Sequence, residues 1–274
     1  MAIKLSLTSW SLPACNLKEA AGIANVLDIG ALDVGYFYGP ALDKKRVLAE
    51  PERAADDAKN LGVDLPCLYH LFGSSLAERN LASPAHLKEN VRDLKQAVKF
   101  CARAGIGVIF MLPGVINPGQ GRKDALQQSA ESLRRLVAIA GESGVILSIE
   151  PHVHSYLETP SLVLELLDKT PGLKLTLDYA HFVCLGYRQE EIDPLAAFAA
   201  HVHLRQTKVG ALQTKLAKGT INIGAELATL QASGFTGYVA LEYTHQDYMD
   251  SLFDDVLTET VQLRDAVRAW EAGE

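Results

Sequence analysis

The chain has no apolar stretch approaching the ~18–20 residues a membrane-spanning helix requires. The segment from Met1 to Cys15 carries Lys4 and is broken by Ser, Thr and Pro, so it lacks the apolar core of an export signal. Leu12-Pro13-Ala14-Cys15 reads as a loop after the first strand. Positive charge is scarce: 26 Lys and Arg against 33 Asp and Glu leave a net charge of −7. A non-specific nucleic-acid binder needs basic surface to neutralise phosphates, so that class is excluded, although a local basic pocket for one small anion is compatible. The four cysteines, Cys15, Cys67, Cys101 and Cys184, form no C-x-x-C pair. Without an export signal they read as buried thiols rather than disulfides, and the cytoplasm is the simplest location. No G-x-G-x-x-G follows the first apolar run, which removes the main support for a dinucleotide-binding sheet. No linker, low-complexity segment or composition break divides the chain, so residues 1–274 read as one domain.

What the chain does contain is alternation. Short apolar runs occur at Ile3–Thr8, Leu27–Val34, Val63–Tyr69, Ile106–Leu112, Val145–Ile149, Leu173–Leu177, Ala200–Leu204 and Tyr238–Leu241. Several are nearly continuous in apolar residues, as parallel strands covered on both faces should be. Between them lie helical periods. Leu87, Val91, Leu94, Val98 and Cys101 follow the start signal Ser83-Pro84 and stop at Gly105. Leu126, Ser129, Leu133, Leu136 and Ala140 repeat the pattern up to Gly141. Thr159-Pro160 opens a helix that ends before Pro171, and Met249, Phe253, Val256, Leu263, Val267 and Trp270 share a face of the last one. The segment from Leu185 to Ala199 reads as short or irregular. Eight strands alternating with helices, in a chain close to the ~250 residues typical of such barrels, predict a single-domain α/β fold, a (β/α)8 TIM barrel.

Active sites of such barrels lie at the C-terminal ends of the strands. The fifth run ends at Glu150-Pro151-His152 and the sixth at Asp178-Tyr179-Ala180-His181. The seventh is His201-Val202-His203-Leu204-Arg205, and the eighth ends at Glu242. Four consecutive strands thus deliver two carboxylates, an imidazole and a third carboxylate to one rim. Converging carboxylates repel unless a cation lies between them. Oxygen ligands plus one His suit Mn2+, Mg2+ or Co2+, and Zn2+ less specifically. Taken singly, each carboxylate could instead cap the next helix or face solvent.

These motifs, Glu150-Pro151, Asp178-x-x-His181, His201-x-His203 and Glu242, resemble the xylose isomerase-like TIM barrels, the family of sugar-phosphate isomerases and epimerases. The resemblance runs through the chain in order and length. It implies Glu150, Asp178, His203 and Glu242 as metal ligands. His203 is preferred to His201 because it lies nearer the open end of its strand, with His201 on the same face one layer deeper. It implies one divalent cation, Mn2+ first, with Mg2+, Co2+ or Zn2+ as alternatives. It further implies proton transfer through a metal-stabilised enediolate, with Glu150 and Glu242 as the two catalytic bases, and His181 as a substrate contact. The implied partner is a small-molecule carbohydrate, with no nucleic acid and no membrane; barrels of this kind often form homo-oligomers through surfaces near the rim.

The sequence departs from the ketose epimerases at two places. Their Arg six residues beyond the ligand histidine is Val209 here, and their carboxylate six residues beyond the first Glu ligand is Tyr156. Instead Arg205, Lys208, Lys215 and Lys218 follow the seventh strand, a set that could grip a phosphate or carboxylate or simply form a solvated basic loop. Trp10, Tyr36, Tyr38, His70, His152 and His154 are further rim candidates, with Trp10, His70 and His152 expected to touch substrate and His70 foremost among the aromatics and histidines. Lys44-Lys45-Arg46 reads as the exposed start of a helix, without a role. A lyase or dehydratase of a keto-sugar on the same scaffold is the alternative reading, and a non-catalytic ligand-binding barrel a weaker one. A three-zinc abasic-site endonuclease would need a His after the fourth strand, where Met111-Leu112-Pro113-Gly114 stands, and an Asp-x-His after His203, which is missing.

Overall fold

Each strand must serve two environments, since outward side chains meet helices and inward ones meet the seven other strands. In a computed structural model describing residues 3–36, 42–245 and 255–273, eight strands satisfy both. They are β1 (Lys4–Thr8), β2 (Leu32–Gly35), β3 (Cys67–Tyr69), β4 (Val108–Met111), β5 (Ile146–Ile149), β6 (Lys174–Asp178), β7 (Ala199–Leu204) and β8 (Tyr238–Leu241). They pair in sequence order, all parallel, and β1 pairs with β8 to close the barrel. The chain is a single-domain (β/α)8 TIM barrel.

The alternate residues Leu5 and Leu7, Leu32 and Val34, Ile109 and Met111, Leu175 and Leu177, and Val239 and Leu241 are buried against the helices in one large apolar cluster. The other parity points inward, where Trp10, Cys67, Val108 and Phe110 form a separate cluster. A contact between His201 of β7 and Asp33 of β2, strands that are not neighbours, can only cross the interior. That interior is unusually polar: Ser6, Thr8, Asp33, Ser148, Thr176, His201 and His203 are all buried.

Local chemistry sets the helix ends. Asn16 and Glu19 form a reciprocal cap at the start of Leu17–Val26. Thr159 Oγ1 accepts from the Leu162 amide ahead of Pro160–Lys169, and Gly105 closes Leu87–Ala104 at φ +84°, where a side chain would be strained. The buried face of Arg122–Gly141 includes Leu126, Ser129, Leu133, Leu136 and Ala140. On Val256–Ala272, Val256, Leu263 and Val267 are buried, whereas Met249 and Phe253 lie outside the described residues. The segment after Leu185 forms a short helix, Gln189–Ile192, and a 3-10 turn, Asp193–Phe198.

Strand starts are where sequence and structure differ. The second run, expected from Leu27, becomes a continuous strand only at Leu32, after an isolated bridge from Ala31 to Asp64. Leu27 ends the preceding helix, and Asp28 (φ +55°) and Gly30 (φ +73°) turn the chain. The third, expected from Val63, begins at Cys67, since Pro66 has no amide hydrogen for the ladder. The fourth narrows to Val108–Met111, and the sixth moves on by one residue to end on Asp178.

Candidate active site

The C-terminal rim is built from strand ends. Asp178 closes β6, His203 lies in β7, and Glu150, Arg205 and Glu242 follow β5, β7 and β8 by one residue. Parallel pairing sets Asp178 beside His203. His203 Nδ1 lies 2.6 Å from Glu150 Oε1 and 3.5 Å from Glu242 Oε2. The donors of Glu150, His203 and Glu242 all fall within 4.8 Å of one another. His203 Nε2 and Glu242 Oε2 are buried without a hydrogen-bond partner.

Asp178 departs from the expected set. Its Oδ1 accepts from the Ala180 amide, and Arg205 Nη2 donates to its Oδ2 at 2.5 Å while lying 3.3 Å from Glu242 Oε2. The guanidinium therefore neutralises the carboxylates on that side. Arg205, expected to reach out and grip a substrate anion, is 5% exposed and turned into the barrel. The physical reason is alternation: Arg205 has the same inward parity as His201 and His203, and buried carboxylates attract the nearest cation. Lys208, Lys215 and Lys218 are exposed on the following loop, and Val209 is 69% exposed.

Burial and neighbours divide the protonation states. Glu150 is raised to about 7 by desolvation, which the His203 charge only partly offsets. Burial also raises Glu242, but Arg205, His203 and the Trp10 indole outweigh it and hold the group below its ordinary value. Desolvation raises Asp178 despite Arg205. His203 moves up to about 9: burial opposes its charge, but Glu242 and Glu150 win. A raised carboxyl near a depressed one is the pattern expected of an acid–base pair.

The remaining candidates divide. Trp10, expected to stack on substrate, is 3% exposed. Its indole N–H donates to Glu242 Oε1 at 2.6 Å, and its ring packs edge-on against Tyr69 and His203. It positions a carboxylate instead, because a buried indole N–H seeks an acceptor. His152 and His181 do lie beside Glu150, with ring centroids 4.1 Å apart and donors within 4.8 Å of that carboxylate's. Val153 N–H donates to His181 Nδ1, and His181 Nε2 lies 3.1 Å from Arg205 Nη2. His70 is fully buried, with Tyr36 Oη 3.3 Å from its Nδ1 and its Nε2 without a partner. Burial, then Lys44 and Arg79, push it down to about 3. His154 sits at φ +64° and its amide donates to Glu158. Tyr38 lies outside the described residues. Tyr156 points into the core, where its hydroxyl donates to Ser129 Oγ. Lys44, read as roleless, donates to the Phe72 and Gly73 carbonyls and ties down the loop after β3.

Sequence reasoning missed Asp33 and Cys67, which meet His201 inside the barrel. The signal was present: a charged residue within an apolar strand-like run. The donors at the rim suit a divalent ion. Two carboxylates and an imidazole converge, and Glu242 Oε2, buried without a hydrogen bond, keeps a lone pair that a bound cation would take up.

Fold and rim together define a (β/α)8 barrel with an acidic, imidazole-bearing centre at the C-terminal ends of its strands. The chain belongs to the xylose isomerase-like TIM barrel family, whose model matches residues 23–271. No curated protein matches it in sequence. Among solved structures it is similar to 3-keto-D-glucoside 4-epimerase from E. coli, at 13% identity and TM-score 0.73, covering 97% of this chain and 99% of that one. A D-psicose 3-epimerase with D-tagatose, from Clostridium cellulolyticum H10, superposes at TM-score 0.72 and 17% identity, over 97% of this chain and 98% of that one. The IOLI protein with a bound zinc atom gives TM-score 0.74 and 17% identity, over 97% of both chains. At such identities these likenesses establish the fold.

Proposed function

We propose that the protein is a divalent-metal-dependent isomerase or epimerase of a small sugar, sugar phosphate or keto-sugar. The observation that carries this reading is the convergence of Glu150 and Glu242 on His203 Nδ1, at 2.6 and 3.5 Å, with carboxyl groups shifted in opposite directions. Glu150, Asp178, His203 and Glu242 would hold the ion, with Asp178 exchanging Arg205 for it. When bound, the ion would draw charge from a substrate carbonyl and its neighbouring hydroxyl and so acidify the intervening C–H.

The chain's own residues supply the rest. Glu242, held ionised by Arg205 and His203 and oriented by the Trp10 N–H, removes the proton from carbon. Glu150, the second base, returns one to carbon. His152 and His181 lie where substrate hydroxyls would sit, and burial leaves both neutral, able to donate or accept. The buried, unpaired thiols Cys67, Cys101 and Cys184 support a cytoplasmic location. Among the described residues no helix is long and apolar enough to cross a membrane.

The test begins with metal content: about one divalent ion per chain at the rim, lost in Glu150→Gln/Asp178→Asn. The loaded protein is then incubated in D2O with ketoses and keto-acids. Deuterium should enter the carbon beside the carbonyl, and Glu242→Gln should slow entry by roughly 100-fold or more, the scale of general-base catalysis. Full exchange in a metal-replete Glu242→Gln variant overturns the assignment. An ultraviolet-absorbing enone product would point to the dehydratase chemistry instead.

A further inference from the structure

One layer below the rim, Asp33 of β2, Cys67 of β3 and His201 of β7 point at a common centre. All three are buried, at 0, 0 and 1% exposure, and their donor atoms lie within 4.8 Å of one another. The rim chemistry uses none of them. Asp33 Oδ2 and His201 Nε2 share a hydrogen at 2.5 Å, while Asp33 Oδ1 is buried with no partner. An unpaired carboxylate oxygen in a dry interior is costly, and an apolar trio would fill the same space without that cost. One member adjoins open space: His201, with Val108 and Ala200, walls a cavity of about 780 Å3 at the N-terminal end of the barrel, which Lys174, Phe235 and Tyr238 also line and Asp33 and Cys67 do not.

We propose that Asp33, Cys67 and His201 form a second divalent-metal site, entered from the N-terminal face, for an ion of the Zn2+ or Co2+ class. Charge supports it: one carboxylate and one thiolate neutralise a divalent ion, so the loaded site carries no net charge into the barrel interior. The thiolate selects a borderline-soft ion over Mg2+ or Mn2+, whereas the oxygen-rich rim suits the harder ones. Three protein ligands leave a fourth position for water from the cavity. On loading, the thiol proton of Cys67 goes to bulk water, and the hydrogen shared by Asp33 Oδ2 and His201 Nε2 moves to His201 Nδ1, so that His201 binds through Nε2 as neutral imidazole. Each donor contributes a lone pair and no electron is transferred. With metal–ligand distances of about 2.0–2.3 Å the Nε2 and Oδ2 atoms must part by under about 1 Å, a change within the reach of side-chain adjustment.

This site stands independently of the activity proposed for the rim. The test is titration of chelator-treated protein with Co2+, read by equilibrium dialysis and near-ultraviolet absorbance. Two equivalents are expected, one of them bringing a sulfur-to-cobalt charge-transfer band. Cys67→Ser should lose that band and one equivalent while keeping the other, and Glu150→Gln should keep the band. No ligand of the rim set is a cysteine, and Cys184→Ala, which removes the thiol 3.6 Å from the His181 carbonyl oxygen, should keep the band, so the band reports the deep site alone. Saturation of the wild type without the band overturns the proposal, and so does a band that survives in Cys67→Ser. Should Cys67→Ser fail to fold, the band in wild type and in Glu150→Gln, set against Asp33→Asn, decides: a band of equal strength in Asp33→Asn also overturns it.

Discussion

Replacing Arg205 with Met removes the guanidinium that faces Asp178 and Glu242 while keeping most of the side chain's volume. Arg205 Nη2 lies 2.5 Å from Asp178 and 3.3 Å from Glu242, and every partner is at least nine-tenths buried. Removing one member of a buried ion pair typically costs ~3–5 kcal/mol, because the abandoned charge remains desolvated. In a domain of this size, with an unfolding entropy of ~2.1 cal/mol/K per residue, that corresponds to a fall in Tm of roughly 5–9 °C. The loss should be confined to the metal-free protein. If a divalent ion replaces the guanidinium between the carboxylates, the loaded variant loses little, and linkage then requires the ion to bind more tightly. A difference of ~3 kcal/mol corresponds to roughly 100-fold in Kd. The assay is thermal unfolding of wild type and Arg205→Met in chelator and in saturating Mn2+, with Kd from calorimetry. An equal Tm loss in both conditions would refute the reasoning, since Arg205 would then remain paired in the loaded site. No loss in either would mean that the pair contributes nothing.

Two other outcomes are expected. Burial depresses His70 to about 3 and His152 to about 4, so the unfolded chain binds protons that the fold does not. Their contribution is fully present above the ordinary histidine value of 6.5 and is lost as pH falls toward 4. The urea midpoint should drop across that window, and His70→Gln should flatten the drop; an unchanged slope counts against the buried neutral imidazole. At the opposite end of the barrel, a Cβ on Gly237 would lie 2.3 Å from the Ala200 carbonyl oxygen, a backbone atom that cannot turn aside. Gly237→Ala should therefore cost ~1–3 kcal/mol by overpacking, read as a lowered Tm, and a Tm equal to wild type would show that β7 and β8 can part there.

The alternation of apolar runs with helical periods carried the fold, because the period of burial is a local property of each segment. The ends of β8 were legible to the residue, whereas β2 began five residues later than its apolar run suggests: Leu27 and Ile29 are apolar, but they serve a helix end and a turn. That Glu150, Asp178, His203 and Glu242 gather at one rim could be read because consecutive strands of a parallel barrel present their C-terminal ends to one side. The parity of His201, His203 and Arg205 was equally visible, yet its consequence was not. Whether Arg205 turns outward to an anion or inward to Asp178 depends on the charges that other strands bring to the same point.

What the sequence determined by itself was therefore the barrel, its strand order and the residue types at its mouth. Those follow from hydrophobic period and from position within each segment. The tertiary structure alone decided that Trp10 holds Glu242, that Arg205 neutralises Asp178, and that Asp33, Cys67 and His201 meet. Each of these joins residues far apart in the chain across the barrel rim or interior, and only closure of the sheet, β8 against β1, fixes which side chains face one another there.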